Sequence, residues 1–176
     1  MSPVMRWNSL LVRAVLAAAV LTSAAGASSA QIWRIYQNDR YGTTIEYPGF
    51  FQPGEPPAID DGLAFSSADG ASFAVFASYN ASDFDLAGYQ DFIVNHLAAG
   101  KVITYRAHGR DWFVISGTAG TDRVFYQRHR LSYGGEMTEG FVMSYPVGLK
   151  QKYDPIVARM AKSFRSGPGF QTPDKH

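Results

Sequence analysis

Four β-rich runs lie end to end between residues 102 and 145, and the joints between them permit only antiparallel pairing. The runs cover 102–107, 112–118, 123–133 and 137–145. Their joints, 108–111, 119–122 and 134–136, each contain glycine. A parallel crossover needs a dozen or more residues, so each run must turn straight back on the one before. A four-strand meander follows, and the rest of the chain must pack on it or beside it.

Upstream, 32–37 and 43–47 are short β-rich runs separated by the turn-formers Asn38, Asp39 and Gly42. Runs 63–67 and 72–79 flank Asp69-Gly70, a hairpin signal. Leu86, Tyr89, Phe92, Ile93 and Leu97 recur at helical spacing, with Asp85 or Ser82 to cap the start and Gly100 to close the end. A second helix is expected from Pro155 to about Phe164, with Asp154 at the cap and Pro155 in the first helical position. Ile156, Val157, Met160, Ala161 and Phe164 form its buried stripe, and Arg159, Lys162 and Arg165 suit its negative end. The segment 49–62, with Pro53, Pro56 and Pro57, reads as a long irregular loop. Residues 166–176 have little to bury and read as a flexible tail. The expected class is α+β: a single antiparallel β-sheet with helices packed on it, in one domain over 31–165.

The first thirty residues read differently. Arg6 and Arg13 give a positive start, 14–27 is an alanine-rich run without charge, and Ser28-Ser29-Ala30 offers the small residues of a cleavage site. About 14 apolar residues fall short of the roughly 20 needed to cross a bilayer. The segment 1–30 is therefore expected to be a signal peptide, the mature chain starting at Gln31 and being periplasmic or secreted. There is no cysteine. The core must hold the fold without disulfides, thiol chemistry is excluded, and no lipid-anchored cysteine can head the mature chain. No stable membrane anchor is expected after cleavage, although an uncut leader could act as a weak tether.

Without Arg6 and Arg13 the mature chain has 14 basic residues against 15 acids, a net of −1. Phosphate binding needs an excess of Lys and Arg, so nucleic acid is not expected as a partner. The charge is unevenly spread: 31–100 has two basic residues and nine acids, 101–176 twelve and six. Either the two halves lie against each other in one domain, or they form a surface dipole that orients a charged partner.

Two stretches carry a family resemblance. Tyr41-Gly42-Thr43-Thr44-Ile45-Glu46-Tyr47-Pro48 resembles the opening of the PsbP-like α/β/α sandwich proteins, and Tyr153-Asp154-Pro155-Ile156-Val157-Ala158-Arg159-Met160-Ala161-Lys162-Ser163-Phe164 resembles their closing helix. The order between them (hairpin, helix, four-strand meander, helix) is similar too. That superfamily includes extrinsic photosystem II subunits, a Ran-binding import factor and exported bacterial proteins. The resemblance implies binding or assembly rather than catalysis. It transfers no functional residue, because the matched positions are structural.

No reaction can be read from the residues themselves. Asp60-Asp61 are adjacent loop carboxylates, which do not flank a scissile bond. The 116–120 run lacks the spacing of a nucleophile elbow. No His, Asp or Glu grouping has metal-ligand spacing, and nothing calls for a cofactor. His96 reads as a packed or edge histidine and His108 as a solvated one. His129 attracts more interest. Pairing Ala107 with Trp112, and Thr118 with Arg123, would gather Tyr105, Trp112, Gln127 and His129 on one face. Arg106, Phe113 and Arg128 would then form a row on the other. The first group could line a small-ligand pocket, and the second could hold a carboxylate or phosphate. Against both stands the ordinary role of such residues, whose stems cover apolar neighbours on exposed sheets. A slip of one residue in register would dissolve both groups. Three functions follow: a binding or assembly module with a protein partner in the cell envelope, engaged through a sheet face or the 49–62 loop; a small-ligand carrier; and, more weakly, a hydrolase with His129 as base and Ser116 or Tyr105 as its partner.

Overall fold

The computed structural model describes residues 31–167. The expected leader, 1–30, and residues 168–176 of the expected tail lie outside that range.

The meander forms as expected. β6 (Val102–His108), β7 (Trp112–Ala119), β8 (Arg123–Ser132) and β9 (Met137–Pro146) are successive antiparallel neighbours. β9 then pairs with β5 (Ser72–Tyr79), which pairs with β4 (Gly62–Ser66) and so with the short β3 (Gln52–Pro53). The resulting seven-stranded sheet runs β3-β4-β5-β9-β8-β7-β6. Its edges are thus the two-residue β3 and the seven-residue β6. β1 (Trp33–Gln37) and β2 (Thr44–Pro48) make a separate two-stranded sheet, so the single expected sheet carries a small companion.

Alternation along the strands sorts the side chains into two layers. On one face, β2 and helix α2 (Lys150–Ser163) pack Ile45, Tyr47, Ile156 and Met160 against Phe73, Val75, Phe141 and Met143. On the other, helix α1 (Leu86–Phe92) and the π-helical turn Ile93–Leu97 bring Tyr89 and Ile93 onto Phe113, Ile115 and Phe125. The sheet is therefore the middle layer of a sandwich.

Three local expectations are corrected. Asp85 does cap α1, its side chain accepting from the Gly88 N–H at 2.7 Å. After Phe92, however, the chain widens into a π turn, which rotates the stripe. Tyr89 and Ile93 are buried, while Phe92 and Leu97 stay exposed. α2 begins at Lys150, not Pro155, because the turn Val147–Leu149 feeds directly into it. Pro155 then lies inside the helix, where it has no N–H to offer the Gln151 carbonyl one turn earlier. Asp154 is not a cap but accepts from Lys150 Nζ at 2.7 Å, one turn earlier.

Packing also continues past Arg165. Thr44 and Arg165 exchange backbone hydrogen bonds, the Tyr133 hydroxyl donates to the Gly167 carbonyl at 2.5 Å, and Ser166 donates to Glu139. Gly167 lies so close to Gly42 that a Cβ there would come within 2.0 Å of the Gly42 oxygen.

Candidate functional site

The turn between β7 and β8 decides which side chains meet. Gly120, at φ 66°, takes the left-handed conformation that lets the chain reverse in three residues, so Ala119 rather than Thr118 pairs with Arg123. That one-residue slip turns every β8 side chain to the other face relative to the expected register. Phe113 now faces His129, Val114 faces Arg128 and Ile115 faces Gln127. On β6, Tyr105 pairs with Ser116 and Ala107 with Val114.

The expected clusters dissolve and a different one forms. Tyr105, Trp112 and Arg128 share the α2 face and line one groove with Tyr126. Gln127 and His129 point into the opposite layer, and Arg106 stands exposed on that same side of β6. The Arg128 guanidinium lies 4.6 Å from the centre of the Trp112 ring, a cation–π contact. Its Nε is buried without a hydrogen-bond partner among the described residues. Trp112 lies on Gly109, where a Cβ would come within 2.2 Å of the indole Nε1. Tyr105 is 56% exposed at the rim. The far wall is helical: Lys150, Asp154 and Ala158 of α2 face the strands across about 370 Å³ of open groove.

The groove wall is electrostatically settled. Burial pushes the Asp154 carboxyl up, but hydrogen bonds from Lys150 and from the Tyr145 hydroxyl, at 2.8 Å, outweigh it and hold its pKa below the ordinary value. Burial and the ionised Asp154 both raise the Tyr145 phenol, which stays protonated. Tyr126 is likewise raised by burial, with Arg128 opposing. The groove thus offers exposed aromatic surface around a fixed cation.

His129 belongs to the core. It is fully buried, stacked 5.1 Å from Phe113, with Nε2 at 3.1 Å from Gln127 Oε1 and Nδ1 at 3.2 Å from the Tyr89 hydroxyl. A carbonyl oxygen only accepts, so Nε2 carries the proton and Nδ1 accepts from Tyr89. Burial lowers the ring's pKa to about 3. Ser116 lies on the opposite face and donates to the Phe125 carbonyl at 2.7 Å. Tyr105 is on that face too, so the His129-based hydrolase is overturned. His96 is exposed at the helix edge, stacked on Phe92.

Glu139 went unnoticed in the sequence. This fully buried carboxylate accepts from Thr43 Oγ1 at 2.6 Å and from Ser166, and Arg130 Nε stands 3.7 Å away. Arg130 also reaches Asp111 at 3.2 Å. The signal was an acid interrupting the period-two series Met137, Phe141, Met143, Tyr145. From the sequence, Asp154 is expected only as a cap and Lys150 is passed over, although their spacing of four is that of a helical ion pair.

With this geometry in place the chain can be set beside known proteins. The solution structure of cyanobacterial PsbP (CyanoP) from Synechocystis sp. PCC 6803 superposes with a TM-score of 0.57 at 15% identity, covering 83% of this chain and 98% of that one. This chain has the PsbP-like fold. The crystal structure of the Ran-binding protein Mog1p from Saccharomyces cerevisiae shares it, with a TM-score of 0.54 at 10% identity over 77% of this chain and 96% of that one. Identities this low establish the PsbP-like fold and nothing finer. No family model matches the chain, and no curated protein does.

Proposed function

We propose that this PsbP-like chain is an exported, non-catalytic binding or assembly module. It engages a protein partner in the cell envelope, in the periplasm or outside the cell, through the groove between α2 and the outer strands. The observation that carries this reading is the Trp112–Arg128 pair with Tyr105 beside it. Tryptophan, tyrosine and arginine are the residue types that dominate interface energetics, and here the three stand together and open. The leader-like first thirty residues supply the export half of the proposal. The likeness to a PsbP and to a Ran-binding protein supports a binding role over a catalytic one. The 49–62 segment, expected to be wholly irregular, contains the β3 edge strand, at the other end of the sheet from the groove, so the two candidate surfaces are separable.

The test is cross-linked capture from the native host with the wild type, Trp112→Ala and a shortened 54–61 loop. A hot-spot tryptophan contributes about 2 kcal/mol, or about thirtyfold in affinity. Trp112→Ala should therefore lose its partner while the loop variant keeps it. Equal capture by all three overturns the groove assignment. A groove of ≈ 370 Å³ also falls within the size range of small-ligand sites, which favours a carrier as second reading. A carrier would show ligand quenching of tryptophan fluorescence that vanishes in Trp112→Ala, with Trp33 remaining as internal reference.

A further inference from the structure

The two edges of the large sheet are unlike. β3 is two residues long and contains Pro53, whose nitrogen cannot donate, so that edge is closed to further pairing. β6 runs for seven residues without proline, and no strand flanks it on its outer side among the described residues. Its protection is limited to a bulge between Ile103 and Tyr105 and one cationic side chain, Arg106. The two faces of this free edge also differ. Val102, 62% exposed, Tyr105 and Ala107 lie on the groove side, while Ile103, Arg106 and His108 lie on the other. There is no Asp or Glu from Phe92 to Arg110, whereas Lys101, Arg106 and Arg110 all fall there. None of the three forms an ion pair among the described residues.

We propose that β6 receives an extended segment of the protein partner as an eighth strand, and that this segment alternates apolar or aromatic residues with Asp or Glu. The proposal rests on the reading of the chain as a partner-binding module. It names how the partner docks. Backbone hydrogen bonds along a free edge give affinity, and alternate side chains give specificity. On the groove side the added strand's apolar residues cover Val102, Tyr105 and Ala107 at the mouth beside Trp112. On the far side its carboxylates meet Arg106 and the basic ends of the strand. A second copy of this chain does not fit, because it would set Lys101, Arg106 and Arg110 against themselves.

The probe is a synthetic ten-residue peptide alternating Glu with Val and Tyr, with a Lys-for-Glu counterpart. Both are added to the protein produced from the full chain, and amide hydrogen exchange is followed residue by residue. The Glu peptide should slow exchange across 102–108 at least tenfold, and the Lys peptide should not. Arg106→Glu, an exposed change, should weaken that preference. No protection of β6, equal protection by both peptides, or protection that appears without peptide as the protein dimerises each overturns the proposal. If β6 stays unprotected while Trp112→Ala still abolishes capture in the host, strand addition fails and the groove reading survives. If capture is also indifferent to Trp112, both fail.

Discussion

A single buried imidazole gives the chain a pH dependence that its other histidines do not need to explain. His129 titrates near 6.5 when unfolded, but in the folded core its pKa falls to about 3. The unfolded state therefore binds the extra proton between those values, and stability is lost as pH falls from about 6.5 toward 3. One proton sets a limit of about 1.4 kcal/mol per pH unit. Asp69 and Asp154 have lowered pKa values, so their contributions fade only below the ordinary aspartate range. Over the interval from pH 6.5 to 4.5 the His129 contribution changes while those of Asp69 and Asp154 persist. Urea denaturation across it should show stability falling with pH in the wild type and a flatter profile in His129→Gln; parallel profiles would place the proton elsewhere. Glu139 makes a second prediction at this scale. Removing it leaves the Thr43 and Ser166 hydroxyls without their acceptor and Arg130 with Asp111 as its remaining partner. A hydrogen bond to a charged group is worth about 1.5–3 kcal/mol, so losing the two costs about 3 kcal/mol. Glu139→Ala should lose that much by chemical denaturation, and Glu139→Gln, which keeps the shape, clearly less.

Among the elements, β6 is held through one glycine. A Cβ on Gly117 would come within 1.9 Å of the Val102 oxygen, a backbone atom that cannot swing aside. Gly117→Ala should therefore cost about 1–3 kcal/mol, as overpacking does, and speed amide exchange in β6 more than in β9. Uniform acceleration would show that β6 is not separately held. The same elements show what the sequence makes legible. Short glycine joints and alternating apolar residues were enough for the meander, its strand order and the α+β class, because these follow from chain geometry. The start and end motifs were enough for the PsbP-like fold. The register was not legible. Whether Ala119 belongs to the turn or the strand depends on the conformation of Gly120, and that choice alone moves Arg128 from Phe113 to Trp112 and sends His129 into the core. α2 was misplaced because Pro155 looked like a first-turn residue, and with it went the helical wall of the groove. Of the six candidate side chains, Tyr105, Trp112 and Arg128 meet in the groove, while Gln127, His129 and Arg106 lie on the other side of the sheet.

At the scale of the whole molecule, the uneven charge is partly internal. Lys152 binds Asp69 and Arg159 binds Glu46, joining the basic second half to the acidic first. Lys101, Arg106 and Arg110, in and around β6 beside the groove, stay outside the ion pairs of the described residues. A module built this way has one side committed to holding itself together and another offering aromatic surface, cations and a free strand edge. The most direct measurement places a photo-cross-linking amino acid at Tyr105 and, as control, at Phe92 on the opposite layer, with the full chain expressed in its native host. The account predicts one reproducible, near-stoichiometric adduct in the cell-envelope fraction from position 105 and none from position 92. Equal adducts from both positions, or none from 105, would contradict it.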